Sequence, residues 1–396
     1  MENTEAVTKA VNERYARAVV TGEEMCCPTG YNYEELRAFI PEPVIKVSYG
    51  CGTPVGLSTV QPGETVLDIG SGGGIDCFEA SRRVGHNGRV IGIDMTDEML
   101  ALAQLHAPTV ASNLGHGRSN VEFRKGQAEA MPVQDHSVDL IVSNCVINLS
   151  PDKPKVFREM FRVLRPRGRF TISDIVADQP IPNYLLYDKD KWGDCLSGAL
   201  PLQEYWNGLR EAGFLGIHQV GFVPWRVIDG IHFLSLTLTG YKLPETQVAT
   251  GPKFATLTGP FSRVLDELGR TYVRGISEPI DSQAAALLQT PFCQGLLELS
   301  ETPIGFTASD SRWLAVLPEE APCAWKGHFA LLTGPFLEVG DDDHHRFQLG
   351  VPLEVCSKTI KVLQSISYRS HFVVINRASQ VASHEAVTCE PSGGCC

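Results

Sequence analysis

Three cysteines of this chain stand in distinctive settings: Tyr49-Gly50-Cys51-Gly52, Ser143-Asn144-Cys145-Val146-Ile147-Asn148-Leu149 and Trp192-Gly193-Asp194-Cys195-Leu196-Ser197-Gly198. Thiolate is a soft ligand, so three brought together form a cage for a thiophilic metal or metalloid atom. Zinc would call for a fourth ligand and closer ligand pairs. Between Cys51 and Cys145 runs Asp68-Ile69-Gly70-Ser71-Gly72-Gly73-Gly74, which follows a short apolar segment and opens a helix-like stretch. Glycines there let the backbone pass close to a ligand, and a helix N-terminus presents unpaired N–H groups.

Further acids complete a nucleoside site. Asp94, followed by Met95, ends the next apolar segment, where a carboxylate can take ribose hydroxyls. Gly126-Gln127-Ala128-Glu129 follows the third segment, where a carboxylate or backbone amide can reach an adenine. Asp68 stands just before the first glycine, which suits a cationic ligand better than a pyrophosphate. That favours S-adenosylmethionine, with a positive sulfonium and an amino group seeking an acceptor at the loop, over a dinucleotide.

The elements that must position these residues alternate. Strands are predicted over Thr65–Ile69, Arg89–Asp94, Val121–Arg124, Val138–Ser143 and Gly168–Asp174, with helices near 76–84, 97–107 and 153–164. Short apolar strands alternating with amphipathic helices imply a parallel sheet covered on both faces, with ligands at the carboxyl ends of its strands. Cys145 follows the fourth strand and Cys195 the fifth, both at that edge. Cys51 precedes the first strand, on a segment able to fold over the donor; lying between two glycines, it is expected to be flexible and exposed. Asn144 and Asn148 are expected to shape turns or support the ligands, and Asp152 to cap the following helix.

Composition narrows the class. The 396 residues are 43% apolar and 20% charged, as in an ordinary globular protein. A net charge of −12 argues against nucleic acid and against anionic membranes as partners. The first residues lack a signal-peptide core, and no apolar run reaches the roughly 18 residues of a membrane span, so a cytoplasmic protein is expected. Twelve cysteines in a reducing compartment then point to metal, metalloid or redox roles rather than structural disulfides.

Four regions are predicted: a helical, cysteine-bearing segment over 1–62, including a helix over Glu34–Ile40; a methyl-donor-binding domain over 63–242; an α+β accessory domain over 243–380; and a flexible tail over 381–396. The accessory domain holds a duplication. Phe254-Ala255-Thr256-Leu257-Thr258-Gly259-Pro260-Phe261 recurs 75 residues later as Phe329-Ala330-Leu331-Leu332-Thr333-Gly334-Pro335-Phe336, giving copies over about 254–298 and 329–373. Two copies packed together bury what one cannot. Asp341-Asp342-Asp343-His344-His345 reads as a solvated acidic loop, its spacing not being that of metal ligands on a helix.

On the residues Tyr49–Gly52, Asp68–Gly74, Gly92-Ile93-Asp94-Met95-Thr96, Ser143–Lys153 and Trp192–Cys195, the chain resembles the arsenite S-adenosylmethionine methyltransferases, over about residues 40–240. The specific element is Asn144-Cys145. The resemblance implies a Rossmann-like class I methyltransferase sheet of seven strands, the last antiparallel, and a C-terminal domain. It implies methyl transfer from S-adenosylmethionine to trivalent arsenic, presented as arsenite or its glutathione conjugate. Cys51, Cys145 and Cys195 would hold the arsenic, and Asp68, Gly70, Ser71, Gly72, Gly74, Asp94, Met95, Ala128, Glu129 and Asn144 the donor. Thioredoxin or glutathione would supply reducing equivalents. Cys26 or Cys27 stands where relatives carry another cysteine, with Cys51 its expected disulfide partner, and Cys395-Cys396 matches a terminal cysteine pair. A monomer is expected. Two copies of the C-terminal module depart from the family pattern. The competing readings are a class I methyltransferase of a quinone or sterol, and a non-catalytic metalloid-binding protein.

Overall fold

The computed structural model describes residues 2–21, 30–186, 196–244, 251–293, 295–304, 325–365, 368 and 371–376. Cys26, Cys27, Trp192, Cys195, Cys395, Cys396 and the expected tail over 381–396 lie outside the described residues. The chain divides into two compact units, Met1–Phe214 with Val220–Lys242, and Leu215–Gln219 with Leu243–Cys396. Among the described residues, no helix is long and apolar enough to cross a membrane.

The first unit opens with four helices: α1 (Glu2–Thr21), α2 (Tyr33–Leu36), α3 (Glu42–Lys46) and α4 (Pro54–Leu57). The helix expected over 34–40 is shorter than predicted, because after α2 the chain tightens into turns before Pro41. Strand and helix then alternate through β1 (Thr65–Ile69), α5 (Ile75–Val84), β2 (Arg89–Asp94), α6 (Asp97–Asn113), β3 (Val121–Lys125) and β4 (Val138–Asn144). They continue through α7 (Lys153–Val163), β5 (Leu164–Ala177), α8 (Asn183–Leu186), β6 (Leu200–Pro201), α9 (Leu202–Glu211), β7 (Leu215–Ile228, of which Leu215–Gln219 counts with the second unit) and β8 (Ile231–Tyr241).

The strands join in the order β3-β2-β1-β4-β5-β8-β7, with β6 added beside β5. β1 lies parallel to β2 and β4, and β5 parallel to β4. β8 runs antiparallel to β5, so the sheet has eight strands rather than the expected seven, the extra one being the two-residue β6. β1, β2 and β4 are apolar and almost wholly buried, as a parallel sheet with both faces covered requires.

Two element ends differ from prediction. α6 continues through Pro108 to Asn113, its extension anchored by buried Val110 and Ala111. β5 begins at Leu164 instead of at Gly168: Leu164 pairs with Val138, the ladder shifts register, and Arg167 takes a left-handed φ of +70° before pairing resumes at Leu140–Arg169. That irregularity lets a Pro-containing segment enter the strand.

The second unit holds β9 (Phe254–Leu257), β10 (Arg263–Leu265), β11 (Thr271–Val273), β12 (Ser277–Pro279), α10 (Ser282–Leu288) and β13 (Leu297–Ser300), and then β14 (Trp325–Leu332), β15 (Glu338–Gly340), β16 (Arg346–Gln348), β17 (Leu353–Cys356), α11 (Ser357–Leu363) and β18 (Phe372–Asn376). Each copy makes its own three-stranded sheet, β12-β9-β13 and β17-β14-β18. A shared sheet, β11-β10-β15-β16, joins them. In it Arg263 pairs with Gly340, Val264 with Val339 and Leu265 with Glu338, so each residue faces the counterpart of the other's strand across a pseudo-twofold axis. Phe261, buried at that junction, lies 6.4 Å from the ring of its counterpart Phe336. In the acidic loop, His345 closes a turn onto Asp341 at 2.7 Å.

Candidate active site

At the carboxyl edge of β1, Gly70 and Ser71 donate their N–H groups to Ile93 O at 2.7 and 2.9 Å. Gly70 needs its left-handed φ of +71° for this turn. Asp94, at the end of β2, closes the loop: its two oxygens accept the Gly72 and Thr96 N–H groups, each at 2.8 Å. Burial raises its carboxyl above the ordinary range, partly opposed by those hydrogen bonds. Asp68, buried on β1, is raised further by desolvation and by neighbouring Asp76 and Asp94.

These groups line one cavity. Of the predicted donor residues it takes in Asp68, Gly70, Ser71, Gly72, Asp94, Met95, Ala128, Glu129 and Asn144. Gly74 does not line it. That glycine starts α5 with φ +94°, and a Cβ there would meet the rings of Phe123 and Phe78, so its role is helix entry and close packing. Glu129 instead gains a partner from the next loop, the Ser150 hydroxyl.

The cavity walls also include residues that the sequence reading missed. Thr8, Val11 and Tyr15 of α1 line it, and their spacing, three and then four residues, is the face of one helix. Asp76, in the first turn of α5, lines it as well. Among its described lining residues there are four acids, Asp68, Asp76, Asp94 and Glu129, and no lysine, arginine or histidine. Such a lining fits a cation and repels a pyrophosphate, so these residues fit S-adenosylmethionine as donor.

Cys145 lines the same cavity, directly after β4. It holds a left-handed φ of +58°, uncommon outside glycine, while its N–H is fixed to Ser173 O at 2.8 Å. Cys51 is brought to it from 94 residues away, and their sulfurs are joined in a disulfide with a Cα–Cα distance of 5.8 Å. Thus Cys51 pairs with Cys145, where Cys26 or Cys27 was expected.

Cys51 is also not exposed: only 3% of its surface is accessible. Its flanking glycines serve close approach instead of mobility. A Cβ on Gly50 would stand 2.5 Å from Asn144 Nδ2, and one on Gly52 would stand 2.6 Å from Ser173 Cβ. Asn144 clasps the loop. Its Oδ1 accepts the N–H groups of Cys51 at 2.9 Å and Gly52 at 3.2 Å, and its Nδ2 donates to Gly52 O at 2.8 Å. Ser235 on β8 donates its hydroxyl to Cys51 O.

The sulfurs sit against an apolar cluster that includes Ile175, Ile181, Leu185, Leu196 and Phe233, with Leu149 and Trp225 beside it. One polar group joins them. A carboxylate oxygen of Asp174 on β5 and the two sulfurs all lie within 4.8 Å of one another, and all three residues are buried. Burial pushes the Asp174 carboxyl up to about 7, against the opposing pull of the Ile175 and Asn148 N–H groups and the Lys153 ammonium. The signal in the sequence was a lone acid in a strand that otherwise alternates apolar with small hydroxyl residues, Phe170-Thr171-Ile172-Ser173-Asp174-Ile175-Val176. Asn148 braces the turn, donating Nδ2 to Ile175 O at 2.5 Å, and Asp152 caps α7 by accepting the Lys155 N–H.

A Rossmann-like sheet with an acidic donor cavity at its carboxyl edge is the class I methyltransferase fold. Residues 61–213 match a family described as a methyltransferase domain, and residues 319–395 match a domain of unknown function (DUF8838). The chain is 30% identical to the arsenite methyltransferase of Homo sapiens over 345 residues, which cover 80% of this chain and 84% of that one. It is 39% identical to the arsenite methyltransferase of Halobacterium salinarum over 231 residues, 53% of this chain. That match spans 58% of the Halobacterium protein's length, and the match to the Aquipseudomonas alcaligenes arsenite methyltransferase spans 66% of that protein. Among solved structures, it is similar to an arsenic(III) S-adenosylmethionine methyltransferase from Chlamydomonas reinhardtii, with 26% identity, a TM-score of 0.50, and 87% of this chain and 96% of that one covered. This chain belongs to the arsenite methyltransferase family.

Proposed function

We propose that this protein transfers methyl groups from S-adenosylmethionine to trivalent arsenic held by its cysteines. The observation that carries the reading is the meeting of Cys51 and Cys145 in a buried apolar pocket, with Cys145 also on the wall of an acidic cavity suited to a sulfonium donor. The name shared by its relatives supports the same substrate.

In the reduced protein the thiols displace hydroxide or glutathione from arsenite, each exchange sending one proton to the leaving group. Cys195, next in sequence to Leu196 of the same apolar cluster, is the third candidate ligand. The arsenic keeps its lone pair. The bound donor supplies an electrophilic methyl group on sulfur; the As–C bond forms as the C–S bond breaks, and the thioether departs. No general base is needed for this displacement, and the protein contributes alignment. Asn144 fixes the Cys51 backbone while the left-handed turn at Cys145 aims its side chain to the cavity edge.

Methylation takes arsenic formally from the trivalent to the pentavalent state. Two thiols return the two electrons and leave as a disulfide, and the Cys51–Cys145 bond is the oxidised partner that such a step forms. An external thiol of the thioredoxin or glutathione kind reduces it for the next round.

The test is product speciation after incubating the full chain with arsenite, S-adenosylmethionine and a dithiol. Methylated arsenic is expected from the wild type and none from Cys145→Ser, which retains donor binding. A Cys145→Ser protein methylating at the wild-type rate overturns the reading.

A further inference from the structure

Asp174 stands beside the two sulfurs and is 2% exposed. A carboxylate offers about four lone-pair sites. Three are taken among the described residues: Oδ1 accepts the Ile175 N–H at 2.9 Å, and Oδ2 accepts the Asn148 N–H at 3.1 Å and the Tyr205 hydroxyl at 3.5 Å. The arsenic chemistry has no use for the last. Trivalent arsenic is soft, and on two thiolates and one further anionic group it is already neutral, so a hard oxygen beside it gains little. A divalent cation is the opposite case. Two thiolates and a carboxylate bring three negative charges to an apolar cluster, a costly burial unless cations compensate it. The Lys153 ammonium acts on Asp174 and supplies one positive charge; the two that remain are those of a zinc ion. The spacing agrees. Zinc holds thiolate sulfur at about 2.3 Å and carboxylate oxygen at about 2.1 Å, so its tetrahedral ligand atoms stand roughly 3.5–3.8 Å apart. Here the two sulfurs and the oxygen lie within 4.8 Å of one another.

We propose that, once the disulfide is reduced, Cys51, Cys145 and Asp174 form a zinc site that competes with arsenic for the same two sulfurs. Reduction takes two electrons from an external thiol and leaves two thiols in place of the S–S bond. Zn2+ then displaces a proton from each thiol to solvent, and one from the carboxyl where it carries one. The fourth position falls to water, as in open zinc sites. The close ligand pair that zinc lacks along the sequence is made by the fold, across 94 residues. Bound zinc keeps the reduced pair from closing again while arsenic is absent, and arsenic, held through sulfur, displaces it without calling on Asp174. This inference rests on Cys51 and Cys145 also being the arsenic ligands.

The test takes the full chain, reduced with a phosphine and desalted under nitrogen. Alkylation of Cys51 and Cys145 by iodoacetamide is followed peptide by peptide by mass spectrometry, so the other cysteines do not enter the readout. Free Zn2+ is set by a chelating buffer, and arsenite is titrated in parallel. Zn2+ is expected to protect both cysteines with one common midpoint. Asp174→Asn is expected to raise that midpoint on the order of 10-fold or more, the scale that even the outer partners of a metal ligand reach, and to leave the arsenite midpoint within about twofold. Because the new amide would face the Asn148 N–H, Asp174→Ser is measured beside it, and arsenite protection in either variant shows the pocket intact. A Zn2+ midpoint unmoved in both variants, or moved no more than the arsenite midpoint, overturns the site. So does Zn2+ that fails to protect a wild-type protein that arsenite protects. Arsenite that fails where Zn2+ protects sinks the arsenic reading instead and leaves the zinc site standing.

Discussion

Replacing Asn144 by alanine tests the clasp on the Cys51 loop. The side chain satisfies three backbone groups of that loop: the Cys51 N–H, the Gly52 N–H and the Gly52 carbonyl, at 2.9, 3.2 and 2.8 Å. Cys51 is 3% exposed, so water does not stand in readily. At a net ~1 kcal/mol per hydrogen bond, Asn144→Ala costs the closed loop about 3 kcal/mol. That is a factor of roughly 150 in the opening equilibrium. The assay is hydrogen–deuterium exchange of the reduced protein, following the amides of Cys51 and Gly52 against those of β2 as an internal control. The loop amides are expected to exchange on the order of 100-fold faster while β2 is unchanged. Asn144→Asp keeps the Oδ1 acceptor but loses the donor, and sets a third carboxylate beside Asp76 and Asp68, so it falls between the two. Loop exchange in Asn144→Ala within about threefold of wild type would refute the reasoning.

Two further outcomes follow from the site. Gly198→Ala would drive a Cβ into the carbonyl oxygen of Asn148, whose side chain is pinned to Ile175 O, so a loss of ~1–3 kcal/mol is expected. Thermal unfolding of the first unit reads it, and an unshifted transition would sink the packing argument. Burial holds the Asp76 carboxyl at about 6, against the lowering hydrogen bonds of Tyr31 and Asn144, with Asp68 and Glu79 facing it. The charged carboxylate prevails above that pH and the neutral acid below it, while the donor's ammonium stays charged below about pH 7.7. Because Asp76 lines the cavity that takes the donor's cationic end, affinity for S-adenosylhomocysteine is expected to hold near neutrality and to fall by about tenfold in all below pH 6. Titration calorimetry showing a flat profile across that range would contradict it.

Much of the acidic cavity's lining could be read along the chain because its signals are local. A buried strand, a glycine turn and a helix start lie within a dozen residues, and Asp94 ends the very next strand. The alternation that predicts a parallel sheet also fixes where the carboxyl ends of its strands lie, so Cys145 could be assigned to that edge from its position after β4 alone. Gly74 is less legible for a related reason: a glycine in such a loop can serve a ligand or the packing, and its close approach to the rings of Phe123 and Phe78 shows only in the folded chain.

The sequence by itself determined the alternating fold, the glycine loop with Asp68 and Asp94, the duplication in the second half, and the unusual cysteine settings. Each is a matter of residue type and short spacing. The tertiary structure alone decided that Cys51 is buried and bonded to Cys145, that Asn144 reaches 93 residues back to hold it, that α1 and Asp76 line the acidic cavity, and that Asp174 stands beside the two sulfurs. Those contacts join segments far apart in sequence. A hydrogen bond across such a distance leaves no periodicity behind, because its partners are chosen by how the sheet edge folds back on the loops and not by their neighbours along the chain.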